Sequence, residues 1–349
     1  MVLHRKNKSV RYISTERFFM VTLVSLLLGA CQTQEPYKLF GNTQGTYYSI
    51  TYYDKEGRDL QSDIDSMLHA FDMTASLWEE ESELRKINRN ETTVLSPVLA
   101  DLIQKSIAIN QYTHGAFDCT IGNLINAWGF GYKNDSMPDS ETIETLLSCC
   151  GTEKVELISD TESSYIHITK PAELEIDLNA IAQGASVDMI GRHFESLGIH
   201  DYLIDIGGEV RARGRKPDGA LWKVGIETPS KTKDDTRKID AIIQLDNLSV
   251  VTSGNYRKYY IENGVKYSHT INPETGRPVN HTLLSVSVID EEAWRADALA
   301  TAFMVMGLDS TLSFINKTSE DEAIYFIYNE GGEYRTHVTP SFEEMIIEQ

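Results

Sequence analysis

The stretch Asp177-Leu-Asn-Ala-Ile-Ala-Gln-Gly-Ala-Ser-Val-Asp188 is the part of the chain from which its fold can best be inferred. Around its start, Leu174, Ile176 and Leu178 alternate with acidic residues, which is the period-two pattern of a half-buried strand. After it, apolar residues recur every three or four positions up to Gly198, where a helix would end. We therefore predict a strand that leads into a helix through a junction of small residues. Such a junction could offer backbone N–H groups to a phosphate, or it could be a simple packing contact.

The N-terminus has the layout of an export signal. Basic residues within positions 1–17 precede an apolar run over 18–28 that is too short for a comfortable bilayer span. The following Leu28-Gly-Ala-Cys31 resembles a bacterial lipoprotein box. We predict a signal peptide over 1–30, lipidation of Cys31 and a polar tether over 31–38. A retained anchor helix is the alternative. Either way, the folded part would lie outside the cytoplasm on the periplasmic side, anchored to a bacterial membrane.

The charge of the chain limits the kinds of partner it can have. The net charge is −20, and removal of 1–30, which holds five basic residues and one acidic residue, would leave −24. Such an acidic protein is not expected to bind nucleic acid. An anionic ligand would have to be held by local devices such as a metal ion or a helix N-terminus. The remaining cysteines, Cys119, Cys149 and Cys150, have neither disulfide-framework nor zinc-site spacing.

Strand-like and helix-like patterns are mixed along the rest of the chain, with no internal repeat. Helical spacing is found at about 60–78, 97–112 and 293–306, and strand-like runs separate these segments. We predict an α+β fold, in which a single large domain of mixed or antiparallel sheets with flanking helices spans 39–340. Residues 341–349 are predicted to be a C-terminal tail.

Three residues are candidates for chemistry because of their positions in the sequence. Asp297 and Thr301 are four residues apart in a predicted helix, so their oxygens face the same side. A carboxylate beside a hydroxyl suits Mg²⁺, although an Asp near a helix start and a Thr bonded to its own helix is the alternative. His269 precedes a turn and could act as a general base for a hydroxyl, or it could be a structural histidine.

Two further groups of residues are ambiguous. The aromatic residues among glycines in Gly115-Ala-Phe-Asp118 and Ala127-Trp-Gly-Phe-Gly131 could form a wall for a flat ring or fill the core at tight turns. Asp177, Asp188 and Asp205 lie at predicted strand ends or a helix start. Acids at such positions most often cap helices or bind loop amides.

The order of short motifs along the chain is more informative than any one of them. The series is Gly45-Thr-x-Tyr48, Ser76-x₅-Ser-Glu-Leu84, Gly115-Ala-Phe-Asp-x-Thr120, Trp128-Gly-Phe-Gly131, Asp177-Leu-x-x-Ile-Ala-x-Gly-x-x-Val-Asp188, Gly207-Gly-Glu209, Thr252-Ser-Gly-x-Tyr256, His269-x-Ile-x-Pro-x-Thr-Gly-x-Pro278 and Ala296-Asp-Ala-Leu-Ala-Thr301. From about residue 39 to residue 334, this series resembles the ApbE family of periplasmic lipoproteins, the FAD:protein FMN transferases.

The resemblance implies a set of site residues, residue by residue. By match, the FAD site would be lined by Gln44, Trp78, Ala116, Phe117, Asp118, Asp177, Gln183 and Ile271. Mg²⁺ would be held by Asp297, Thr301 and the main-chain carbonyl of Ala180, and His269 would activate the acceptor hydroxyl. The helix start near Gln183 would add N–H donors to the pyrophosphate.

The resemblance also implies a reaction and its partners. A Thr or Ser hydroxyl of a partner protein would attack the FMN-side phosphorus of FAD, and AMP would leave. The implied acceptors are FMN-binding domains of membrane redox complexes, of the Na⁺-pumping quinone reductase or Rnf type. Two alternatives stay open: an Mg²⁺-dependent FAD pyrophosphatase that yields FMN and AMP, and a non-enzymatic FAD-binding lipoprotein.

The chain departs from the family pattern at two positions. Many relatives carry Lys where this chain has Gln183, and Met where it has Gln44. A glutamine can donate a hydrogen bond but brings no positive charge. We therefore expect pyrophosphate binding in this chain to depend more strongly on Mg²⁺.

Overall fold

The computed structural model describes residues 35–133, 137–160, 165–229, 238–255, 259–262, 265–318 and 321–348. The predicted signal peptide over 1–30, the lipidation at Cys31 and Tyr256 of the Thr-Ser-Gly-x-Tyr motif lie outside these residues. Among the described residues no helix is both long and apolar enough to cross a membrane.

The main sheet has eight strands in the part of the chain that the structure describes. In spatial order these are β1 (Tyr37–Thr43), β2 (Thr46–Tyr53), β6 (Asp201–Ile206), β7 (Glu209–Arg213), β10 (Leu248–Gly254), β15 (Leu283–Asp290), β16 (Ala323–Glu330) and β17 (Glu333–Val338). Each neighbouring pair in this order is antiparallel. Along β6 buried Tyr202, Ile204 and Ile206 alternate with less buried residues, because successive side chains point to opposite faces of a sheet.

Smaller sheets complete the β structure. Two three-stranded sheets are built from β8 (Trp222–Glu227), β9 (Ile239–Leu245) and β18 (Ile346–Glu348), and from β3 (Val94–Leu95), β4 (Glu156–Ser159) and β5 (Ile166–Thr169). Two hairpins pair β11 (Tyr259–Glu262) with β12 (Val265–Ser268), and β13 (Ile271–Asn272) with β14 (Arg277–Pro278).

The described helices lie between and beside these strands. They are α1 (Gln61–Ala75), α2 (Glu83–Asn88), α3 (Pro97–Tyr112), α4 (Gly122–Ala127), α5 (Ser140–Cys149), α6 (Ala182–Ser196), α7 (Ala293–Met306), α8 (Leu308–Thr318) and α9 (Pro340–Glu343). Side-chain oxygens of Ser82, Ser96 and Asp139 cap α2, α3 and α5 by accepting backbone N–H groups. Gly198 follows α6 with φ of +77°, as expected for a glycine that ends a helix.

The central strands of the main sheet are covered on both faces. Helix α6 packs on β6 and β7 through side chains such as Phe194, which contacts Tyr202, while α7 packs on β10 and β15. On the other face, Val210 and Val250 join a second core with Trp222 of the β8–β9 sheet. Residues Pro36–Gln349 form one compact unit, so the prediction of a single α+β domain is confirmed.

The strand predicted just before α6 is absent from the described residues. The segment is extended, but its β pairing is a single bridge between Glu175 and Ile121. The side chain of Asn88 replaces a neighbouring strand: its Nδ2 donates to the carbonyl of Ile176 at 2.8 Å, and its Oδ1 accepts the N–H of Ile176 at 2.9 Å. The alternating pattern is real because Ile176 and its apolar neighbours are buried, although no neighbouring strand forms a ladder with this segment.

The predicted domain limits were too narrow at both ends. Strand β1 begins at Tyr37, inside the predicted tether. In the predicted C-terminal tail, Phe342 is fully buried and β18 pairs with β9. Ile346 thus joins a sheet of the domain, in which β18 pairs with the side of β9 that β8 leaves open and so satisfies backbone groups there.

Candidate active site

A cavity of about 850 Å³ brings together residues that are far apart in the sequence. All twelve residues assigned to FAD, metal and base by resemblance line it: Gln44, Trp78, Ala116, Phe117, Asp118, Asp177, Ala180, Gln183, His269, Ile271, Asp297 and Thr301. Their individual roles stay predictions. The cavity volume lies within the range of pockets that bind drug-sized ligands.

One side of the cavity is aromatic and apolar. The Trp78 side chain is 59% exposed although it lines the cavity, so its indole face is accessible to a planar ligand. Phe117 is buried, and the ring of Phe130 meets His269 edge-on with the ring centroids 6.4 Å apart. Of the two readings of the Gly-rich aromatic segments, Phe130 fits the wall, while Trp128 is buried in a core cluster.

The two aspartates on this side are held by loop hydrogen bonds. The carboxylate of Asp118 accepts from the backbone N–H of Thr120 at 2.7 Å and from its hydroxyl at 2.6 Å. Burial raises the pKa of Asp118, and these two hydrogen bonds oppose the shift. The carboxylate of Asp177 accepts the N–H of Asn179 at 2.8 Å. Both acids therefore shape the loops that carry them.

Asp297 is a buried carboxylate one turn into α7. Its Oδ2 accepts the N–H of Gly184 in α6 at 3.0 Å. Burial raises the pKa of Asp297 to about 7; the Gly184 N–H lowers it, and the charge of Asp188 raises it further. Thr301 follows one turn later and its Oγ1 lies 3.3 Å from Oγ of Ser253, which the sequence analysis included in the Thr252-Ser-Gly-x-Tyr256 motif without a role.

The residues predicted to bind Mg²⁺ are compatible with that ion. No group of three or more His, Cys, Asp or Glu suited to a metal occurs among the described residues, but the predicted set contains only one such residue. Its donors would be the carboxylate of Asp297, the hydroxyl of Thr301 and the carbonyl of Ala180, which all border the same cavity. Hard oxygen donors of this kind suit Mg²⁺, which usually completes its coordination with water and phosphate oxygens. A cation would also offset the cost of ionising the buried Asp297.

The side chain of Gln183 is oriented differently from the expectation. Its Nε2 donates to the carbonyl of Ile206 at 2.8 Å and to the carboxylate of Glu209. An amide nitrogen has two N–H groups, so both are used and neither remains for a pyrophosphate. Glu209 lines the cavity, and its pKa is raised well above the usual range by burial and then by the charge of Asp297. In the sequence, Glu209 was marked only by the Gly207-Gly-Glu209 motif.

The start of α6 also offers fewer donors than expected. The N–H groups of Ala182, Gly184 and Ala185 donate to Leu178 O, Asp297 Oδ2 and Ile181 O, respectively. Three N–H groups at this helix start are therefore already used within the protein and are not available to a pyrophosphate.

Gln44 lies in the turn between β1 and β2 with φ of +51°. Its Oε1 lies 3.5 Å from the hydroxyl of Ser186, while its Nε2 is buried and has no partner in the described part of the chain. The glutamine therefore leaves one buried polar group unsatisfied, which costs about 1–3 kcal/mol.

Comparisons with known proteins identify the family to which the chain is similar. A model of the ApbE family matches residues 44–326. An FAD:protein FMN transferase of Vibrio cholerae serotype O1 is 34% identical over 341 residues, which cover 95% of this chain and 99% of that protein. One from Escherichia coli K12 is 31% identical over 353 residues, covering 97% and 99%.

Solved structures show the same fold. The apo form of the flavinyl transferase ApbE from Pseudomonas stutzeri superimposes with a TM-score of 0.78 at 30% identity, covering 90% of this chain and 98% of that one. The flavin transferase ApbE from Vibrio cholerae gives 0.76 at 32% identity, covering 89% and 99%.

Proposed function

The chain belongs to the ApbE family, and we propose that it is an FAD:protein FMN transferase that moves FMN from FAD to a Thr or Ser hydroxyl of an acceptor protein with release of AMP. The observation that carries this proposal is the single cavity in which all twelve matched residues meet. Three functions, namely flavin binding, metal binding and proton acceptance, can thus act on one bound molecule.

Each part of the cavity has a task in this reaction. Trp78 and Phe117 would flank the flavin ring and orient it. His269 would accept the proton of the acceptor hydroxyl as its oxygen attacks the FMN phosphorus. The bond from phosphorus to the AMP oxygen breaks, and a phosphoester joins FMN to the acceptor. Mg²⁺ held by Asp297, Thr301 and the Ala180 carbonyl would neutralise charge on the pyrophosphate.

We also propose that the protein acts at a membrane surface outside the cytoplasm. The support for this location is the signal-like N-terminus and the lipoprotein box at Cys31. The family resemblance points to FMN-binding domains of membrane redox complexes, of the Na⁺-pumping quinone reductase or Rnf type, as acceptors.

The direct test of this function is the mass of an acceptor domain. Residues 32–349 are incubated with FAD, Mg²⁺ and the candidate acceptor, and the acceptor is weighed intact. We expect a mass increase equal to that of a covalently linked FMN, together with AMP in solution. Free FMN and AMP without labelled acceptor would instead indicate the pyrophosphatase. Intact FAD with several candidate acceptors would contradict the transferase.

The substitution Gln183→Lys tests how this chain compensates for the missing positive charge. In the structure the amide of Gln183 contacts Glu209 at the cavity wall, so a lysine there would add a positive charge that offsets part of the negative charge of a bound pyrophosphate. We expect the variant to reach half-maximal transfer at a Mg²⁺ concentration several-fold lower than wild type. Activity is measured against Mg²⁺ for both proteins. Superimposable curves would show that residue 183 does not determine the metal requirement.

A further inference from the structure

The first turn of α7 is capped by a residue of another helix. Among the described residues, the N-cap residue Glu292 makes no side-chain capping hydrogen bond. Instead Asp188, which lies in α6, accepts the N–H groups of Ala293 at 3.0 Å and Trp294 at 2.9 Å. These donors are among those that a helix leaves unsatisfied at its start. The Asp188 carboxylate therefore fixes the start of α7 to α6.

Arg211, which lies in β7 of the main sheet, also contacts the start of α7. Its Nη1 lies 2.6 Å from Asp188 and donates to the carbonyl of Glu291 at 3.0 Å, just before α7 begins. Asp188 is fully buried and the Arg211 side chain is only 12% exposed, so this ion pair is shielded from water. Asp188 and Arg211 together hold both the N–H groups and the preceding carbonyl of the α7 start.

A second contact between α6 and α7 lies one helical turn away. Gly184 precedes Asp188 by four residues, so both face the same side of α6. The N–H of Gly184 binds Asp297, which follows Ala293 by four residues in α7. A Cβ at position 184 would collide with the carbonyl oxygen of Ala293 and lie 2.9 Å from Cβ of Asp297. The two helices are thus held in register at two points, and one of these points is the carboxylate of the candidate metal site.

We propose that Asp188 is a positioning residue for the metal site, acting through the register of α6 and α7. This inference rests on the proposed Mg²⁺ site, whose donors come from two segments: Ala180 immediately before α6, and Asp297 and Thr301 within α7. Because Mg²⁺ demands near-ideal octahedral geometry, a small slip of one helix against the other separates these donors. Asp188 does not line the cavity. Through its hydrogen bonds to the start of α7, it determines how the two segments that carry the donors are placed relative to each other.

A purely structural role makes a different prediction. Breaking a buried ion pair destabilises the fold wherever the pair lies, because one charge is left buried and unpaired. If Asp188 only stabilised the fold, its removal would lower the unfolding midpoint and leave metal affinity unchanged in the protein that remains folded. A positioning role also lowers metal affinity, as substitutions of residues that orient metal ligands do, by about 10- to 100-fold.

The chain offers a matched control for this difference. Asp54 is also buried and pairs with Arg58, with Asp54 Oδ1 and Arg58 Nη2 at 2.7 Å. Its pKa is lowered to about 2, mainly by the hydrogen bonds from the Arg58 side chain, so it is an ionised carboxylate in a tight pair. Asp54 does not line the cavity. The substitution Asp54→Asn should therefore destabilise the protein without affecting the metal site.

The experiment compares wild type, Asp188→Asn, Asp54→Asn and the milder Arg211→Lys. Folding is followed by circular dichroism, and Mg²⁺ is titrated into the FAD-free protein by calorimetry. We expect both Asn variants to unfold at lower temperature, but only Asp188→Asn to bind Mg²⁺ about 10- to 100-fold more weakly. Arg211→Lys keeps the positive charge but loses part of the hydrogen-bond geometry. Its Mg²⁺ affinity should lie between those of wild type and Asp188→Asn. In turnover, excess Mg²⁺ should largely restore kcat of Asp188→Asn while its apparent Mg²⁺ requirement stays high.

Two outcomes would overturn the inference, and they differ in what else they affect. Equal Mg²⁺ affinity of folded Asp188→Asn and wild type would make Asp188 a stabilising residue only, and would leave the transferase and its metal site untouched. If Asp188→Asn does not fold, an Mg²⁺ affinity of Arg211→Lys equal to that of wild type would likewise leave Asp188 with a stabilising role only. Failure of wild type to bind Mg²⁺ would overturn the positioning role together with the metal dependence of the proposed function.

Discussion

FMN transfer is expected to fall at least about 1,000-fold when Asp297 is replaced by Asn. Asp297 is the only charged donor in the predicted metal set, and the amide of Asn is a neutral and weaker ligand. A metal ion contributes several kcal/mol of transition-state stabilisation, and about 4 kcal/mol corresponds to three orders of magnitude in rate. The measurement is the rate of acceptor labelling at saturating FAD, followed by intact mass.

A control for this substitution removes a charge elsewhere on the cavity wall. The carboxylate of Asp205 lines the same cavity, and its Oδ1 accepts the N–H of Gly208 at 3.0 Å. We expect Asp205→Asn to reduce transfer by far less than Asp297→Asn. Equal losses would mean that the total charge of the cavity matters and that the position of Asp297 does not.

Asp297→Asn should also change how stability depends on pH in the metal-free protein. Burial raises the folded-state pKa of Asp297 to about 7, whereas an unfolded Asp titrates near 4. The folded protein therefore binds the extra proton more tightly, so the stabilisation from this group is complete below pH 4 and is lost as the pH rises through 7. Asn cannot ionise, so the inactive variant should be more stable than wild type at pH 8. Thermal unfolding of both proteins at pH 5 and pH 8 without Mg²⁺ tests this. An Asp297→Asn variant that is less stable than wild type at pH 8 would contradict the prediction.

Replacing His269 with Ala is expected to lower FMN transfer by about 10²- to 10⁴-fold, the usual contribution of a general base. His269 lines the cavity and meets Phe130 at its edge. Because the residue acts on the acceptor hydroxyl, binding of FAD and of Mg²⁺ should be nearly unchanged. Acceptor labelling is measured beside the quenching of flavin fluorescence on FAD binding.

The His269→Ala experiment also separates catalysis from packing. The imidazole contributes an aromatic contact to Phe130, so His269→Phe keeps a ring at this place but no base. Both variants should be similarly slow. Recovery of activity in His269→Phe would assign the histidine to the wall of the cavity, and transfer at the wild-type rate in both would remove it from the mechanism.

The sequence was sufficient for the family, the fold class and twelve of the residues that line the cavity. Asp297 and Thr301 could be paired because helical spacing is a local property, and α6 could be located because its apolar positions recur with the period of a helix. The match of motif order then grouped these residues with Trp78 and His269, which no local pattern relates to one another. The structure places all of these residues on one cavity.

Only the tertiary structure decided which partners satisfy the polar groups. Gln183 reads as a donor to a ligand in the sequence, but Ile206 and Glu209, brought near by β6 and β7, take both of its N–H groups. The segment before α6 reads as a strand, but Asn88, almost ninety residues earlier, satisfies Ile176 instead of a neighbouring strand. Periodicity reports which side of a segment is buried. A hydrogen-bond partner depends on what the rest of the fold brings within about 3 Å, and that information is not local in the sequence.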